Sequence, residues 1–189
     1  ALYRGRCTRM LDKLCCSPEF LIATGRSINK ERMKDQYVVL RAIAFLMLHR
    51  GEFKDIPALQ YRGDIDDFLA RFMVYVNDNA PEKLIVDYEN LFIRCMQISY
   101  DLLGENGFRF SGNGIRRPIN MPLFEALSYL FSFVPEKIDY TWASRLILDI
   151  ESVKEEFDDS RYFSGNIDST TSVSFRFDRM DKIINRIQL

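Results

Sequence analysis

The chain has 189 residues, of which 47% are hydrophobic and 28% charged, with 26 Lys and Arg against 27 Asp and Glu for a net charge of −1. That is ordinary for a globular chain and enough for one compact core, so a single domain is expected. The longest apolar run, Ala42 to Leu48, is far short of the roughly 20 residues a membrane-spanning helix requires, and the opening Ala1-Leu-Tyr-Arg-Gly5 has no secretory pattern, which favours a removed start or a larger cytoplasmic parent over a secreted protein.

In chain order, Thr8 to Cys16 places Met10, Leu11 and Leu14 at helical spacing, and Ser17-Pro18 offers a cap and a first-turn proline for a short helix through Ala23. Thr24 to Ile28 is a loop around Gly25. The stretch from Arg32 to His49 then reads as the central buried helix: Asp35 is the expected N-cap, Gly51 supplies the stop, and every position from Tyr37 to Leu48 except Arg41 is apolar. Such a helix has no solvated face, so other helices must wrap it. Asp64 to Val76 is amphipathic, with Ile65, Phe68, Leu69, Phe72, Met73 and Val76 on one stripe and acids in its first turn. Asn79 to Pro81 breaks the pattern and starts a longer helix that Gly104 ends. Gly104 to Ile119 is the largest irregular stretch and holds Arg109, Arg116 and Arg117. Asn120 caps the next expected helix, which runs to about Phe131, and Tyr140 to Phe157 forms another. Asp158 to Thr171 is polar and reads as a loop before a terminal helix from Ser172. No stretch alternates as a strand, and the expected fold is all-α: seven or eight helices in one bundle around the buried central helix.

Charge is unevenly spread. The first 50 residues hold ten Lys or Arg against four Asp or Glu, a balance of +6, and the remainder carries −7. A basic third of this kind marks a phosphate-facing surface or a docking face for an acidic neighbour. The candidate nucleic-acid contacts are Arg26, Lys30, Arg32 and Lys34, which lead into the central helix, with Arg116 and Arg117 in the long loop. Interleaved aromatic residues, on which bases would stack, are scarce near the first group, so a solvated or interdomain face is the competing reading. Glycines scattered as in the loop match no phosphate-binding fingerprint, which makes a flexible connector its plainest reading. Arg41 is best read as a structural charge, paired with a carboxylate of a neighbouring helix because burial demands one.

Catalytic signals are sparse. His49 is the sole histidine and sits at a helix end, where it favours the dipole more than it serves as a base. Cys7, Cys15, Cys16 and Cys95 have neither metal-ligand spacing nor the density of a disulfide framework, so reduced thiols and no metal site are expected.

Four segments together resemble one family: Ala1 to Gly5, the block from Arg32 to Phe45, the block from Asn120 to Leu127, and Ser172 to Arg179. In that order they look like the helical C-terminal half of the GmrSD restriction endonuclease N-terminal-domain family, also called the domain of unknown function 262 family. Gln36-Tyr37 departs from relatives, which more often show an acid there. The resemblance implies a ParB-like domain preceding this half and bearing an Asp-Gly-Gln-Gln-Arg type motif, absent from this sequence, that is associated with nucleotide hydrolysis and DNA restriction. It therefore implies a non-catalytic helical domain of a phage-defence protein, the parent being a nucleotide-dependent restriction endonuclease subunit. The expected partners are that ParB-like domain and DNA, with no cofactor in this stretch and no membrane. The alternative is a helical protein-interaction module that binds no nucleic acid.

Overall fold

The computed structural model describes residues 5–28, 33–112, 114–158 and 165–187. Among them the fold is all-α, with eight α-helices and no strand: α1 (Arg6–Cys15), α2 (Pro18–Ala23), α3 (Lys34–His49), α4 (Ile65–Asp78), α5 (Glu82–Leu103), α6 (Met121–Phe131), α7 (Tyr140–Asp158) and α8 (Thr170–Ile187). No helix among the described residues is long and apolar enough to cross a membrane.

Local chemistry explains where the helices begin and end. Ser17, Asp64 and Asn120 each stand before a helix and accept a backbone N–H of its first turn, from Phe20 at 3.4 Å, Asp67 at 3.0 Å and Leu123 at 2.9 Å. Each thereby satisfies a donor the helix cannot. Asp35 departs from the expected cap. The chain turns left-handed at Met33 (φ 57), α3 starts at Lys34, and Asp35 lies buried in the first turn, where its carboxylate accepts the Gln36 N–H at 2.8 Å. At the other end Gly51 takes φ 86, a conformation glycine adopts without Cβ strain, and the N–H groups of Gly51 and Glu52 close back on Leu48 and Met47 at 3.1 Å each.

The core has two central helices. Every residue of α3 from Val38 to Met47 is buried, and so is every residue of α6 from Pro122 to Phe131. The two pack against each other; α1 and α4 lie on α3, α8 lies on α6, α5 touches both, α2 covers α5, and α7 lies on α8 and α5. Glu125 and Ser128 give α6 the sequence of a half-exposed helix. It is nonetheless buried all round, because the bundle encloses it and supplies two arginines for the Glu125 carboxylate.

Candidate functional site

The connection from α5 to α6 is anchored where its composition predicts a flexible loop. Phe108 is fully buried, its ring 4.3 Å from that of Phe124, and Phe110 is buried beside it. Between them Arg109 is only 4% exposed. Its guanidinium donates to the carbonyls of Arg117 at 2.5 Å, Thr24 at 3.0 Å and Glu105 at 3.3 Å, and to the Ser27 hydroxyl. This one side chain ties the α5–α6 loop to the α2–α3 connection. Burial and the nearby Arg116 push the Arg109 pKa down, with Glu105 opposing. All four bonds go to neutral oxygens, so no carboxylate bonded to Arg109 cancels its charge.

Fixing the loop in this way brings three of the expected cationic residues together. Lys34 on α3 and Arg116 and Arg117 on the loop line one cleft of about 350 Å³. Arg116 lies over Gly25 and pairs with Glu105 at 3.2 Å; Gly25 has φ 59, and any Cβ there would collide with the guanidinium. Arg117 pairs with Asp158 at 2.5 Å and sits over the Phe110 ring, 5.4 Å from its centre. Lys34 is exposed and has no ion-pair partner among the described residues. On the far side of the Arg116–Arg117 ridge a second hollow of about 460 Å³ is lined in part by Asn106, Ser111, Glu151 and Lys154. Arg26 is exposed but lines a separate hollow with Thr24 and Asp35. Lys30 and Arg32 lie outside the described residues. Lys154 carries no distinguishing signal in the sequence, where it is one more charge on an amphipathic helix.

Arg41 does not join this surface. It is 2% exposed, and its guanidinium meets Glu125 of α6 at 2.5 Å and Asp168 at 2.6 Å, with a longer bond to the Tyr37 hydroxyl at 3.4 Å. Burial disfavours the Arg41 charge, but Glu125 and Asp168 outweigh it and raise the pKa above the usual arginine value. The other Glu125 oxygen accepts from Arg176 of α8 at 3.0 Å, and Arg176 also donates to the Ile167 carbonyl at 2.5 Å. Two buried arginines and two carboxylates thus balance in charge, and the group has a structural role. The sequence carries a signal for the other members: Glu125 interrupts an apolar helix, and Arg176 falls on the Val173, Phe177, Met180 stripe.

The remaining chemistry-bearing groups are placed against reactivity. His49 ends α3 but does not carry the charge a helix C-terminus favours. Its ring stacks on Phe177 at 3.6 Å, and burial together with Arg176 pushes its pKa down to about 4. Burial drives the Cys7 and Cys95 thiols up to about 12, far from the thiolate a nucleophile needs. No group of three or more His, Cys, Asp or Glu side chains among the described residues is placed to hold a metal ion. Compared with protein families, curated proteins and solved structures, the chain matches none.

Proposed function

We propose that this chain is the helical, non-catalytic part of a DNA-restriction or phage-defence protein of the GmrSD kind, and that its basic cleft contacts the nucleic-acid backbone. The observation that carries the reading is the convergence of Lys34, Arg116 and Arg117, distant in sequence, on one cleft whose lining among the described residues includes no carboxylate. Each Lys or Arg that neutralises a phosphate releases condensed counterion, so such a surface binds duplex DNA with a steep salt dependence. In this reading the cleft and the loop ridge face DNA, and the ParB-like domain of the parent performs the chemistry.

The test is binding of the purified chain to labelled duplex DNA across a salt series, beside the triple variant K34A/R116A/R117A. The expected result is affinity that falls steeply with salt, and in the variant a slope of log K against log salt shallower by roughly 0.9 for each phosphate that is no longer neutralised. If neither protein binds at low salt, the protein-interaction reading takes its place. One observation favours that second reading: an apolar hollow of about 540 Å³ beside α4, walled by Ile56, Leu59, Ala70 and Val74, with Val74 56% exposed. Asp66 and Asp78 stand one turn to either side along α4 and would suit a partner helix with a basic rim.

A further inference from the structure

The Lys34–Arg116–Arg117 cleft differs in composition from the other hollows of this surface. Ile28 and, on α3, Val38 line one side; Pro118 and Ile119 of the loop leading into α6 line the other; Met121 also lines the space. Among the described residues the cleft pairs an apolar interior with cations and no carboxylate in its lining, the Glu105 and Asp158 partners of its arginines lying outside it, whereas the larger hollow that shares both arginines includes Glu105 and Glu151. Its volume of about 350 Å³ lies at the small end of the roughly 300–1,000 Å³ range of small-molecule sites. A featureless phosphate surface needs no apolar slot. A slot of this size beside Lys and Arg suits one phosphate carried on a flat, largely apolar ring. Arg116 and Arg117 both line it, and arginine, unlike lysine, can stack on a ring face as well as bind phosphate.

We infer that the cleft receives a single nucleoside phosphate, with the base between Ile28, Val38 and Ile119 and the phosphate on Lys34 and Arg116. The inference rests on the nucleic-acid reading of this surface and narrows it: the protein takes an unstacked nucleotide of a strand, or the same unit free in solution, instead of touching the duplex backbone alone.

Met121 provides the probe. In protein labelled at the methionine methyl groups, with the Met121 signal assigned through M121L, a base held in the cleft moves that signal by its ring current and inorganic phosphate does not. Titrations with deoxyadenosine monophosphate, a single-stranded oligonucleotide, duplex DNA and inorganic phosphate then separate the outcomes. The expected result is a saturable shift of the Met121 methyl with the nucleotide and the single strand, weakened at least tenfold in K34A/R116A at an unchanged melting temperature. I119W, which fills the slot and keeps every cation, should abolish the shift. Tighter binding of the strand than of the mononucleotide identifies a strand as the source, and the reverse order identifies a free nucleotide. If duplex DNA binds but neither nucleotide nor single strand moves the methyl, the slot inference is overturned and the backbone-contact reading stands. If nothing binds, both fail.

Discussion

Replacing the Glu125 carboxylate removes the acceptor that the buried guanidinium groups of Arg41 and Arg176 share and leaves Arg41 with Asp168 as its remaining carboxylate. Breaking a buried charge pair typically costs about 3–5 kcal/mol, because the abandoned charge stays desolvated. E125Q is therefore expected to lower stability by about that amount in thermal or urea denaturation, while K83A, which breaks an exposed one-turn pair with Asp87, leaves it unchanged within error. An E125Q protein as stable as the parent would contradict the structural role given to the network. His49 makes a separate prediction. The unfolded chain takes up its proton near pH 6.5, whereas the folded protein holds it off to about pH 4. Between those values the unfolded state binds more protons, so the His49 contribution to stability is complete above about 6.5 and falls as the pH drops toward 4. H49F keeps the stack on Phe177 and should flatten that part of the stability profile relative to the parent. At this scale Arg41 is legible as a lone charge in an apolar helix, with the demand for a carboxylate implied. Its partners are not, because they lie 84 and 127 residues away and one sequence does not say which helices meet.

Arg109 has the same standing within an element that Glu125 has within the core. The α5–α6 loop lacks regular backbone pairing over much of its length, and the buried guanidinium supplies four bonds in place of it. Hydrogen bonds to a charged group are worth roughly 1.5–3 kcal/mol when one partner is removed. R109A is expected to lose about that much stability and to raise amide hydrogen exchange in residues 104–119 before any change in the α3–α6 core. Uniform loss of protection across the molecule would show the loop to be part of the core instead. N120A tests the neighbouring cap and should cost about 1 kcal/mol, the usual value for a side chain that accepts one first-turn N–H. Helix order and most boundaries are legible in the sequence, since caps, prolines and glycines act through nearest neighbours. The order of the loop is not, for a physical reason: glycine and asparagine content reports what the backbone can do, whereas order comes from Phe108 and Arg109 reaching distant residues. The cleft is half legible for the same reason, its cations visible one by one and their meeting at Lys34 set by tertiary packing.

For the whole molecule the central question is whether the helices behave as one cooperative unit. The buried apolar side chains form a single cluster drawn from α1 to α8, and α3 and α6, its two innermost members, are separated by some 70 residues of chain. No sequential subset of helices closes that core, because α1 needs α3 and α4, α3 needs α6, and α6 needs α8. The α7–α8 pair is the most peripheral candidate for independent unfolding, but α8 contributes Arg176 to the buried charge group and Phe177 to the stack on His49. Detaching it would uncover Glu125 and Arg41 together, so its loss is coupled to loss of the centre. The single tryptophan allows the coupling to be read directly. Trp142 lies on α7 and its indole N–H donates to the Ile187 carbonyl at the end of α8, at 3.4 Å. Its fluorescence therefore reports the outer pair, while far-ultraviolet circular dichroism reports all the helices. In urea the two signals are expected to change along one coincident transition. Fluorescence that moves at lower urea, with most of the helical signal retained, would separate α7 and α8 from a core that closes without them. E125Q should then displace both signals together toward lower urea, because the charge it removes joins α3, α6 and α8 at one point.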